Sequence, residues 1–126
     1  MTSSSIKKIE FNNNKLRCSV FNKCNIEIVN FTDNILKYIE LNSSNLFKVN
    51  FDLCDLSNSL FVNCKIFNVD VNETDLNDFY WNQNSIRKAN FENSNFKNCN
   101  LENIYFYNCD FKNSIFEDSN LNNVKF

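Results

Sequence analysis

The sequence predicts an all-β, four-sided solenoid, a chain that turns every five residues and closes a coil every twenty. Three observations predict it. An apolar residue stands at every fifth position without a slip, matching residue types recur at intervals of twenty, and turn-forming Asn or Asp follows the apolar residue at a fixed offset.

Residues 1–5 read as a polar lead-in, and the repeat occupies 6–126 as a single domain. From Ile6 the fifth-residue series runs Phe11, Leu16, Phe21, Ile26, Phe31 and onward to Phe116, Leu121 and Phe126, and all 25 members are apolar. In a chain that is 43% hydrophobic, chance produces such a run on the order of once in a billion, so the period is counted rather than judged by eye. Steps of five define no single face on an α-helix, and odd steps alternate between the faces of a strand. The chain must therefore turn within each quintet, bringing every fifth side chain to one interior.

Two residues before each central position lies a second inward series of small or β-branched residues, including Cys24, Val29, Ser44, Cys54, Ser59, Cys64, Thr74, Ser94 and Cys99. One large and one small residue per side suit a narrow, filled core. Phe79 and Asn84 break the size rule and predict a local irregularity near Trp81. Two residues after each central position, from Asn58 to Asn123, Asn or Asp fills 11 of 14 places. These side chains bond the local backbone and tolerate positive φ, which a chain without glycine or proline requires of them. Columns twenty apart, such as Leu16, Leu36, Leu56 and Leu76, imply four quintets per coil with like stacked on like.

Ala89-Asn90-Phe91-Glu92-Asn93, Ser94-Asn95-Phe96-Lys97-Asn98, Cys99-Asn100-Leu101-Glu102-Asn103 and Ser119-Asn120-Leu121-Asn122-Asn123 resemble the pentapeptide-repeat family, whose motif is Ala-(Asp/Asn)-(Leu/Phe)-X-X. The resemblance covers roughly 6–126. It implies the right-handed quadrilateral parallel β-helix, here a solenoid of about six coils. With coils ~4.8 Å apart the rod is about 30 Å long. Ser, Cys or Val in place of the motif's Ala implies a slightly fuller core.

The chemistry-bearing residues are few. There is no His for acid–base work or metal ligation and no Gly-rich phosphate loop, which argues against an enzyme and against any cofactor. Five of the six cysteines, Cys24, Cys54, Cys64, Cys99 and Cys109, fall in the small inward class and read as buried hydrophobes. Cys24 and Cys64 share a column two coils apart, so ~9–10 Å separates their Cα atoms, beyond disulfide reach. Cys18 falls outward. Asp55 and Asp75 share a column, which reads as a solvated outer face.

Net charge is −2, which gives no general pull toward nucleic acid or an anionic membrane. Charge is uneven along the chain: +3 over 1–48, −5 over 49–82 and balanced over 83–126. No segment has the length of apolar residues that a spanning helix needs, and the first residues lack a signal-like apolar core, so a cytoplasmic protein is expected. Outward apolar residues mark a candidate partner surface: Phe47, Phe67 and Tyr107 in one column, Leu60 and Tyr80 in another near Val62. The repeat runs to Phe126, so end-to-end stacking of two copies through Phe116, Leu121 and Phe126 is expected.

These readings point to a non-catalytic scaffold for protein–protein interaction with an unidentified partner, without direct nucleic-acid or membrane contact. The family resemblance implies one alternative, a DNA-mimicking binder of DNA gyrase or another topoisomerase, as in fluoroquinolone-resistance members. Duplex DNA carries one charge per ~1.7 Å, so a rod of this length would need roughly 17 net negative charges. The 15 acidic residues here stand beside 13 basic ones.

Overall fold

The computed structural model describes residues 1–11 and 14–126. In chain order the strands are β1 (Ser5–Glu10), β2 (Val20–Asn22), β3 (Asn25–Asn30), β4 (Glu40–Asn42), β5 (Asn45–Asn50), β6 (Leu60–Val62), β7 (Lys65–Asp70), β8 (Tyr80–Asn82), β9 (Ser85–Asn90) and β10 (Tyr105–Tyr107). They form two parallel sheets, one of six strands ordered β1-β3-β5-β7-β9-β10 and one of four ordered β2-β4-β6-β8. Every pairing joins residues twenty apart, as in Ile6 with Ile26 and Phe61 with Trp81. The chain is a right-handed four-sided parallel β-helix. Its sheets carry six and four rungs, so regular pairing covers about five turns, slightly short of the six coils expected.

The interior is the one the period predicts. Every central residue from Ile26 to Phe106 is buried, Leu56 at 1% and Phe91 at 0% exposure. Rings in one column stack at the rung spacing: Phe11 on Phe31 at 4.9 Å, Phe31 on Phe51 at 5.2 Å, and Phe96 on Phe116 at 4.9 Å. Burying one such side chain stabilises the fold by ~1.5–3 kcal/mol, and the ladder repeats that on every side.

The corners need a separate account. Each described residue two positions after a central residue, from Lys8 to Asn123, has φ between 50° and 61°. At several corners this left-handed residue is the third of a turn closed by an i to i+3 hydrogen bond, as from Cys54 N–H to Phe51 O (3.2 Å) and from Cys99 N–H to Phe96 O (3.2 Å). That is the type II pattern. The residue before the centre prepares the corner. Its side-chain oxygen accepts from the backbone N–H two residues on, Asn90 from Glu92 (3.2 Å), Asp75 from Asn77 (3.0 Å) and Asn95 from Lys97 (3.1 Å). This Asx turn is the reason for the Asn or Asp preceding Leu or Phe in the motif.

The small inward residues do more than fill space. Ser59 Oγ donates to Leu36 O and accepts from Ile39 N–H, both at 3.2 Å, across to the neighbouring coil. Asn84 does the same with its amide, donating to Phe61 O and accepting from Cys64 N–H at 2.8 Å each. Thr74 Oγ1 donates to Phe51 O at 2.7 Å, and the thiols of Cys54 and Cys99 reach Phe31 O and Leu76 O at 2.8 and 2.9 Å. Corners interrupt the strand ladder and leave buried backbone groups in need of partners, which these side chains supply. The column Val29, Val49, Val69, Ala89 is apolar because the parallel pairing of the six-residue strands continues past the left-handed residue into it, and paired backbone needs no cap.

The irregularity expected near Trp81 is absent from the backbone. β8 pairs with β6 in register, and Gln83 has the usual corner φ of 53°. Phe79 instead packs edge-on to Phe61 at 4.8 Å and against Trp81 at 4.5 Å, building an aromatic cluster where a cap would stand.

Candidate interaction site

Phe47, Phe67 and Tyr107 stand on the outer face of the six-stranded sheet, on β5, β7 and β10. Phe47 and Phe67 are neighbours in register and their rings stack at 5.7 Å. Tyr107 lies two rungs beyond Phe67, with Arg87 between them. Phe47 is half-buried, Phe67 39% exposed and Tyr107 66% exposed. The sequence pattern grouped these three correctly by column but missed the cations among them. Lys48 Nζ sits 5.2 Å from the Phe47 ring, Lys88 Nζ 5.4 Å from Phe67, Arg87 5.8 Å from Tyr107 and Lys125 4.9 Å from Tyr105. A signal was available: Lys8, Lys48 and Lys88 are forty residues apart, hence one column and every second rung.

A groove of about 550 Å³ opens at the β9–β10 end of this face, lined by Arg87, Tyr105, Tyr107, Lys125 and Phe126 among others.

Leu60 and Tyr80 are adjacent rungs of the four-stranded sheet, on β6 and β8. Leu60 is half-buried and Tyr80 44% exposed, and Val62 is half-buried beside them. Glu40 and Asp78 share their shallow depression with Tyr38, so the patch is smaller and more acidic than the first. Phe116 is half-buried against Phe96 and Phe111, while Leu121 and Phe126 are 40% and 69% exposed on the last coil.

The acidic pairs are corner devices. Asp55 accepts from the Ser57 hydroxyl at 2.7 Å and from Lys37 at 3.1 Å. Partial burial alone would raise its carboxyl, and the Ser57 and Lys37 contacts outweigh that and hold it below its ordinary value of 3.8. Asp70 moves the other way, raised by burial and then by the Asp52 charge. Burial pushes the thiols of Cys54 and Cys99 up to about 12 and of Cys64 to about 11, which leaves them inert in the core. Cys18 is exposed at a left-handed corner. Among the described residues no group of three or more His, Cys, Asp or Glu is arranged to hold a metal ion.

Several solved structures share this architecture. A trypsin-treated variant of QnrB1, a plasmid-mediated fluoroquinolone resistance protein, superposes with a TM-score of 0.50 at 15% identity over 99% of this chain and 73% of that one. A pentapeptide-repeat protein, Rfr23, of the cyanobacterium Cyanothece 51142 gives 0.41 at 12% identity over 99% and 89%. One from the Arabidopsis thaliana thylakoid lumen gives 0.38 at 15% over 97% and 64%. At these identities the first likeness bears on fold alone, and the other two are too distant to bear an argument. No curated protein matches the sequence. The family model for pentapeptide repeats matches in eight copies, over residues 64–103 and 89–126, which together span half of the chain. With that match on the coil, the Asx turns and the left-handed corners, the chain belongs to the pentapeptide-repeat family.

Proposed function

We propose that the protein is a non-catalytic scaffold whose six-stranded face docks another protein. The observation that carries the reading is the outward column of half-buried Phe47 with exposed Phe67 and Tyr107 on the six-stranded sheet. Aromatic residues and arginine are enriched at protein interfaces, and an apolar strip on an otherwise polar surface marks such a site. The filled shaft supports the absence of catalysis, because the polar side chains inside it are engaged in capping corners. End-to-end pairing of two copies belongs to the same proposal, supported by the exposure of Leu121 and Phe126; a strictly monomeric species by light scattering at high micromolar concentration would remove it.

The test is a double substitution, Phe47→Ser with Phe67→Ser, in a crosslinking pull-down from the native cell. The expected result is loss of the captured partner with the β-type circular dichroism unchanged. Capture at the parent level would move the site elsewhere. Gyrase supercoiling run beside it is expected to show no inhibition, since no face approaches the charge density of a nucleic-acid duplex.

A further inference from the structure

Charge in this molecule sorts by face as well as along the axis. The outward positions from the first to the fourth residue of the long strands carry Lys7 and Lys8 on β1, Lys48 on β5, Lys65 on β7, and Arg87 and Lys88 on β9; Lys125 follows beside Tyr105. Those seven are more than half of the 13 basic residues, and Glu27 is the single acid among them. The last strand positions, Glu10 and Asp70, already turn onto the adjoining side, which holds Asp33, Asp52, Glu73 and Glu92. Segment sums along the sequence hide this, because each coil visits every face.

Apart from Lys7, the cations of this face take part in none of the ion pairs among the described residues. Among the described residues the ion pairs are Lys7 with Glu27, Lys37 with Asp55, Lys97 with Glu117 and Lys112 with Glu92, and only the first lies here. Lys48, Lys88, Arg87 and Lys125 rest against aromatic rings instead. Such contacts contribute ~0.5–1 kcal/mol at exposed sites, a weak hold that a carboxylate readily replaces. At 0.15 M salt the Debye length is ~8 Å, so the field at this surface is set by the charges on it and along its edge, Glu10 and Asp70 included.

We propose that the partner of the six-stranded face is an acidic protein segment with apolar or aromatic side chains among its carboxylates. The inference rests on the scaffold reading above and names the chemistry of its partner. Carboxylates meet Lys48, Lys65, Lys88 and Arg87, while apolar groups lie along Phe47 and Phe67 and enter the groove between Arg87 and Lys125. Charge complementarity assigns this occupant in preference to a second copy, which would offer only its own narrow acidic side. Aromatic edges between the cations, and a groove with an apolar floor, favour polypeptide over a bare polyphosphate. Complex formation steered by these charges is fast and salt-sensitive.

The experiment is fluorescence anisotropy with three labelled probes: a twelve-residue peptide alternating Glu and Phe, oligoglutamate of equal charge, and a single-stranded oligothymidylate of equal charge (about six each). The Glu-Phe peptide is expected to bind at least tenfold tighter than either of the others and to weaken steeply between 50 and 200 mM salt (about a fourfold range). Arg87→Glu with Lys88→Glu should abolish that binding. Phe67→Ser should remove the margin over oligoglutamate while leaving oligoglutamate binding in place. Lys15→Glu with Lys37→Glu, on another side of the rod, should leave all three unchanged. Failure of the Glu-Phe peptide to bind at low salt overturns the inference, as does equal or tighter binding of oligothymidylate. If Phe47→Ser with Phe67→Ser still loses the native partner while Arg87→Glu with Lys88→Glu keeps it, the acidic-partner inference falls and the scaffold reading stands.

Discussion

From Cys18 to Leu53 the left-handed corner residues are Cys18, Lys23, Ile28, Asp33, Tyr38, Ser43, Lys48 and Leu53; from Asn58 to Asn123 they are Asn or Asp at 11 of 14 places. The geometry does not register the change. Ile28, Tyr38 and Leu53 have φ of 55°, 60° and 59°, against 56° at Asn68 and Asn98 and 61° at Asn103. An ordinary L-residue in this conformation costs ~1–2 kcal/mol, least for Asn and Asp and most for a β-branched residue such as Ile28. The first half accepts that cost at corner after corner, so its corners are held by the buried ladder and the inward caps rather than by the corner residue. Family recognition follows the cheap corners, since the family match spans 64–126, while the coil follows the ladder.

The core is where the halves should agree. Leu36 and Leu76 occupy one column and are both fully buried, so Leu36→Ala and Leu76→Ala should each cost about 2–5 kcal/mol in urea unfolding, and similar amounts. A much smaller loss at Leu36 would mean that the first half is not closed around the same shaft. Caps come next. Ser94→Ala strands a buried carbonyl and a buried amide, Val71 O and Thr74 N–H, and should cost about 1–3 kcal/mol by the same assay, whereas Ser59→Ala should cost less, because Leu36 O keeps its bond from Ile39 N–H.

The corner residues themselves sharpen the comparison, because Ile28 and Asn68 share a column. Ile28→Asn should stabilise the fold by ~1 kcal/mol and Asn68→Ile should destabilise it by about as much, a shift of roughly 4 °C in melting temperature in opposite directions. Two changes of the same sign would break the account of the corners.

The smallest effect is electrostatic. Asp70 is raised in the folded state, so its protonated form favours folding below its ordinary value of 3.8, and that contribution is lost as pH rises through the folded value. Asp70→Asn should therefore stabilise at pH 7 and change little below 3.8. Asp55 has the opposite sign: its contribution is present above 3.8 and is lost as pH falls through the depressed folded value. Asp55→Asn should destabilise at pH 7, and the loss should fade toward strongly acid conditions.

What was legible in the residues and what was not divides along physical lines. The fifth-residue period exposed the shaft because burial tolerates no polar side chain there, and it holds through Val71 and Trp81 alike. Asn and Asp after the centre marked the corners of the second half. Ser, Cys and Thr in the inward columns were read as small, although their hydroxyls and thiols cap the corner of the adjacent coil, which requires knowing that residues twenty apart are neighbours. Phe79 breaks the size rule but is a packing variant, because a ladder can exchange a cap for a ring that packs on Phe61 and Trp81. The partner surface was half-legible: Phe47, Phe67 and Tyr107 were grouped by column, but the cations around them emerge only when charge is counted by face.

The central claim is that one coil geometry runs the length of the chain whatever residue stands at the corner. NMR measurement of the intraresidue HN–Hα coupling and NOE at Ile28, Tyr38 and Leu53, beside Asn68 and Asn98, tests it most directly. Left-handed values at all five are predicted. Negative φ at Ile28, Tyr38 and Leu53, with left-handed values confined to the two asparagines, would contradict it.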